Sequence, residues 1–197
     1  MAKTRKGKRA SARSGRPARS SATRKRAPAS RGKPRRARPN DDTALREQLV
    51  DILRGGHAHA TYEDVVANLP AELRGRRPNG APYSPWMILE HIRIAFWDIL
   101  EFSRDPSHMS PDFPSEYWPT DPVPPDANAW GDSVARYARD REAFERLVRD
   151  PASDLFTPFP HGSGQTLLRE VLVAATHTSY HLGELVVLRR LLGAWPA

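Results

Sequence analysis

The 197-residue chain has no cysteine. That absence excludes disulfides, thiolate metal ligands and a cysteine nucleophile together, and it agrees with a reducing, cytoplasmic setting. Long unbroken apolar runs are missing too. The most apolar stretch, Thr166 to Leu192, is interrupted by Arg169, Glu170, Glu184, Arg189 and Arg190, so no membrane span is expected. Acid is absent from the first forty residues. They hold sixteen of the 31 Lys and Arg, no aromatic residue and only Met1 as a large apolar side chain. Such a segment cannot bury enough surface to offset the entropy of ordering, and residues 1–40 are expected to form a disordered basic tail. Its charge suits weakly selective, salt-dependent contact with nucleic acid or another polyanion. An Arg- and Ser-rich leader without acid also suits an organelle transit peptide, while a solvated extension or a misplaced start codon is the plainer reading.

From Asp41 onward the balance reverses, with the remaining fifteen basic residues facing all 23 acids. Residues 41–197 suffice for one domain with a proper core and are too short for two. A first helix should start near Asp41-Asp42-Thr43, whose short oxygen-bearing side chains cap free amides. Leu45, Leu49, Ile52 and Leu53 recur at helical spacing up to Gly55-Gly56, and Tyr62, Val65, Val66 and Leu69 continue it. That gives one kinked helix or two pieces, with His57 and His59 at the break. Ser84 and Pro85 make a clear start for a second helix, which runs to about Ser103 on a stripe of Trp86, Ile88, Leu89, Ile92, Phe96, Ile99 and Leu100. Asp105 to Asp126 contains seven prolines and reads as a long wrapping loop. A third helix spans about Ala127 to Val148, and a fourth follows Thr166 and stops at Gly193. The apolar period is 3.6 throughout and no strand pattern appears. The expected fold is all-α, an up-down four-helix bundle, with crossover connections as the alternative that its long loops allow, and with the last helix most deeply buried.

His177 and His181 carry the strongest chemical signal. Four residues apart on a helix, they lie on one face with Cβ atoms about 5–6 Å apart, and each offers a neutral nitrogen to a divalent metal. The same spacing is also met by two hydrogen-bonded or solvated histidines on a helix shoulder. Two ligands rarely suffice, so a third must come from another element, and His91 on the second helix is the candidate. Three imidazoles without a thiolate leave a net +2 charge and open positions for water or substrate. Glu184 or Glu170 is placed to accept the outer N–H of a ligand histidine. The residue after His177 is Thr178, so the zinc-protease pattern with Glu in that place is not met. No nucleophile elbow or phosphate-binding glycine loop is present. His57 and His59 fall in loops and His108 on the surface, whereas His161 lies on the loop feeding the last helix, where it can cover the same cavity.

The segments LEHIRIAFWDIL around His91 and HTSYHLGELVVLRRLL around His177 and His181 resemble the DinB-like family, and the resemblance spans residues 41–197. It implies a four-helix bundle with one divalent metal held by three histidines, which fall on His91, His177 and His181. Zinc is the first choice, with nickel, manganese or iron next, because an all-imidazole site discriminates poorly. Glu184 departs from the family pattern, where Gln is common. Relatives include thiol-dependent S-transferases and isomerases using bacillithiol, mycothiol or glutathione. The resemblance therefore implies an enzyme that transfers or adds a low-molecular-weight thiol to a small electrophile; Glu184, His161 or a water on the metal is available to move the proton. A coordinated thiol loses its proton readily, and a chain without cysteine must receive that thiol as a cosubstrate. The alternatives are a hydrolase whose nucleophile is a hydroxide on the same ion, and a non-enzymatic stress- or nucleoid-associated binding module working through the tail. Phe113, Tyr117 and Trp118 are the apolar loop residues available for a homodimer contact.

Overall fold

The computed structural model describes residues 39–196. The expectations for the tail fall almost entirely outside the described residues. Among those described there are six helices and no strand: α1 (Pro39–Arg54), α2 (Tyr62–Val66), α3 (Ala71–Arg74), α4 (Pro85–Arg104), α5 (Ala129–Arg149) and α6 (Leu167–Leu191). The long helices begin where side chains satisfy free amides. Ser84 Oγ accepts the Met87 N–H with Pro85 in the first turn of α4, and Thr166 accepts the Arg169 N–H at the start of α6. The expected break of the first helical region is real. Gly55 and Gly56 both take positive φ, 71° and 86°, and α2 restarts on a capping box between Thr61 and Asp64.

Cross-helix contacts fix the topology. Arg54 pairs with Glu145 and Glu47 with Arg149, so α1 and α5 run antiparallel. Ile88 shares a cavity wall with Leu188 while His91 meets His181 and His177, so α4 and α6 are antiparallel. Along the α4–α5 seam, Arg93 and Trp97 share a surface cleft with Arg136 and Asp140, and Phe96 packs on Tyr137 and Phe144. Residue numbers rise together there, so α4 and α5 are parallel. The four long helices are thus up-down-down-up: the crossover form of the bundle, and not the simple up-down-up-down order that led the expectation. Each of α1 and α4 packs closely on both α5 and α6.

The parallel pair explains the proline-rich segment 105–128. It has to return the length of α4 before α5 can start, and on the way it lays Tyr117 and Trp118 over His91. The core between the helices is built from Leu49, Val50, Phe96, Tyr137, Phe144 and Leu185, among others.

Two expectations about burial need correction. Ile52, assigned to the core stripe, is 42 % exposed. α6 is not buried all round: Leu172, Tyr180, Val187 and Leu191 face outward. Its length and hydropathy would satisfy a membrane span, but its other face packs against α1, α2 and α4.

Candidate metal centre

α4 and α6 bring three histidines to one point. His91 sits in the second turn of α4, and His177 and His181 lie one turn apart at the middle of α6. The Nε2 atom of His91 is 3.1 Å from that of His181 and 3.1 Å from that of His177. One ring nitrogen from each residue lies within 4.8 Å of the others. Nitrogens bound at about 2.0–2.1 Å to a tetrahedral zinc would stand roughly 3.3 Å apart. The observed spacing fits that geometry.

The outer nitrogens show which way the rings are protonated. His91 Nδ1 donates to the Tyr117 carbonyl oxygen at 2.8 Å, and His181 Nδ1 donates to Glu184 Oε2 at 2.6 Å. A carbonyl or carboxylate can only accept, so the neutral form of each ring carries its proton outward. The inner Nε2 atoms are then bare lone pairs facing each other across 3.1 Å. That arrangement is repulsive unless a cation lies between them. Burial pushes His91 and His177 down to about 4, the neighbouring imidazoles adding to the effect, so these two rings are neutral at neutral pH and free to offer a lone pair. The donor set therefore fits a divalent ion that takes nitrogen ligands.

The walls come from the loop. The Trp118 indole stacks on His91 with centroids 3.7 Å apart and planes at 5°, and Tyr83 stacks on the far side of Trp118 at 4.0 Å. Asp98, seven residues after His91 on the same face of α4, accepts hydrogen bonds from Tyr117 Oη and His108 Nε2. These contacts pin the loop that holds His91. None of Tyr83, Asp98 or Trp118 was singled out for the site from the sequence. A signal existed for Asp98: it is a carboxylate at heptad spacing from His91 on a helix face that is otherwise largely apolar.

The remaining candidates separate clearly. Glu184 is at the site, holding His181 as expected. Glu170 is buried but pairs with Arg169 and bonds no histidine. The structure does not bring His161 to the centre. Its Nε2 donates to the Phe102 carbonyl, eleven residues beyond His91 and so about 16 Å along α4. His59 is exposed and bonds Ser179 Oγ on the outside of α6, and His57 is exposed. His108, expected at the surface, is tucked against Asp98 with its side chain 10 % exposed. Of the three loop residues named for a dimer contact, Phe113 is 79 % exposed, while Tyr117 and Trp118 are half-buried in the site wall.

No curated protein and no solved structure matches the chain. The family model of the DinB superfamily matches residues 56–185, more than half of the chain and a span that contains all three histidines and Glu184. With the helical bundle and the converging imidazoles already in place, that match settles the family: the chain belongs to the DinB superfamily.

Proposed function

We propose that this protein is a metal-dependent enzyme that transfers or adds a low-molecular-weight thiol to a small electrophile. The observation that carries the reading is the convergence of three inward imidazole nitrogens, two of them left as lone pairs by outer hydrogen bonds, with no fourth protein ligand among the described residues. A structural site would close its coordination sphere; this one leaves it open. When bound there, a divalent ion lowers the pKa of a thiol brought to it. The chain supplies the rest. His91, His177 and His181 would hold the ion, Glu184 fixes the orientation of His181, and Trp118 shields one face of His91 from water. Glu184 is 35 % exposed at its side chain, so the oxygen not engaged by His181 is open to take the proton of an incoming thiol.

The test has two arms. Elemental analysis of the purified full chain should find one divalent metal per chain, falling well below that in His91→Ala, His177→Ala and His181→Ala. Consumption of a small electrophile such as 1-chloro-2,4-dinitrobenzene should need both the metal and an added thiol. Turnover with metal and no thiol would instead establish hydrolysis, and unchanged metal content in all three variants would remove the site.

A separate contribution is proposed for residues 1–40, whose sixteen basic residues would hold a polyanion with strong salt dependence. Deleting them should abolish salt-sensitive retention on DNA and leave the bundle folded. Retention that survives the deletion refutes it.

A further inference from the structure

A cavity of about 530 Å³ lies between the loop 79–83 and the C-terminal half of α6. It adjoins the metal centre twice. Glu184 lines it and also holds His181. Tyr83 lines it and stacks on Trp118, which in turn stacks on His91. Its volume is within the range of small-molecule sites. Ile88, Val187, Leu188 and Leu191 make the walls apolar, and Val187 and Leu191 are 52 % and 64 % exposed.

Two features bear on what enters. Gly183 contributes to the lining from the interior of a 25-residue helix, where glycine is disfavoured relative to alanine. No packing demands it there, since a Cβ built on Gly183 meets nothing within 4 Å. A side chain at 183 would project into open space and make the cavity shallower. The second feature is charge. Among the described residues Glu184 is the only charged one in the lining, and none of the other lining residues is Lys or Arg.

We infer that this cavity receives the apolar arm of the electrophile, and that the substrate class is a neutral or cationic small molecule with an aromatic or aliphatic group. The assignment rests on the enzymatic reading above for the word substrate, while the binding site stands on its own geometry. The Glu184 carboxylate beside the cavity disfavours an anion there by charge repulsion. The arm lies along Val187 and Leu188, which places its reactive end toward Glu184 and the histidines.

The experiment uses the full-length, metal-free chain and two fluorescent probes, neutral N-phenyl-1-naphthylamine and anionic 8-anilino-1-naphthalenesulfonate. The neutral probe should bind one per chain. Gly183→Leu should weaken it at least tenfold, and Val187→Glu, at a half-exposed position where folding is not at stake, at least fivefold. Glu184→Gln should raise binding of the anionic probe relative to the neutral one at least threefold; the basic tail is the same in both proteins and cancels. Unchanged neutral-probe affinity in both Gly183→Leu and Val187→Glu overturns the inference. So does loss of probe binding as the protein self-associates in sedimentation, which would give the face to a second copy. Zinc is then titrated into the same preparations: probe binding without any metal uptake would end the enzymatic reading and leave the cavity assigned.

Discussion

Tyr117 holds His91 through its backbone carbonyl at 2.8 Å and is itself held by Asp98, which accepts the Tyr117 hydroxyl at 2.5 Å. A ligand histidine is thus oriented by a loop, and the loop by a carboxylate seven residues further along the ligand's own helix. Asp98→Ala should free both Tyr117 and His108. Orienting partners of this kind are worth about 10–100-fold in metal affinity, and that loss is expected in a chelator-competition titration, with full stoichiometry regained at saturating zinc. Asp98→Asn keeps an acceptor for the tyrosine and should recover much of the loss. Equal affinities for wild type and Asp98→Ala would show that the loop does not position the ligand.

How much of this was legible in the sequence depends on the range of the interaction. The helices were, because capping by Ser84 and the 3.6-residue stripe of α4 are local signals. The pair His177 and His181 was also legible, being fixed by one helix's geometry. The parallel packing of α4 and α5 was not, since helix direction is set by tertiary contacts such as Phe96 with Tyr137 and Phe144. The role of segment 105–128 follows from that direction, so Trp118 read as a loop aromatic available for a dimer contact when it is the wall against His91. His161 misled for the same reason. Proximity to α6 in sequence said nothing about which end of the bundle its loop would reach.

Glu184 separates charge from hydrogen bonding at His181. Glu184→Gln retains an acceptor for the Nδ1 proton and removes the negative charge, so zinc binding should persist with a several-fold weaker constant. Glu184→Ala removes both and should cost about 10–100-fold. In thiol-dependent turnover the order changes: both variants should lose kcat, because neither carries a carboxylate to take the proton. A Glu184→Gln enzyme with wild-type kcat would leave the residue an orienting role only.

Acid should destabilise the metal-free protein in a defined window. Burial lowers His91 and His177 to about 4 in the folded state, against an ordinary value of 6.5. Between those limits the unfolded chain binds more protons than the folded one, so folding stability is lost as pH falls from about 6.5 to 4 and is insensitive to these groups above 7. The loss should be on the order of 1–3 kcal/mol per imidazole. Urea unfolding of the metal-free chain at pH 7, 5.5 and 4.5 measures it. His177→Ala should show a shallower pH slope, and a slope equal to wild type would assign the acid sensitivity to other groups.

Arg189 tests what holds the far end of α6. It is 3 % exposed and pairs with no carboxylate among the described residues. Its guanidinium donates instead to the carbonyls of Val65, Ala67 and Ala194 and lies over the Trp195 ring at 5.1 Å. One planar group thereby ties α2 to α6 and satisfies the carbonyls where α2 ends. Burial lowers the pKa of the guanidinium, yet arginine stays charged at any ordinary pH, so the hydrogen bonds to dipoles must carry the charge. Arg189→Met keeps the apolar stem and leaves three carbonyl groups without their donor. The expected cost is about 2–4 kcal/mol, seen as a melting temperature lowered by roughly 2–4 °C for each kcal/mol. Arg189→Lys reaches fewer carbonyls with a point charge and should recover less than half of that. His91, His177 and His181 lie at least two turns away along α6 or on α4, so zinc stoichiometry at saturation should match wild type in both variants. A variant that melts normally would mean that the turn after α2 and the C-terminal segment are held by packing alone.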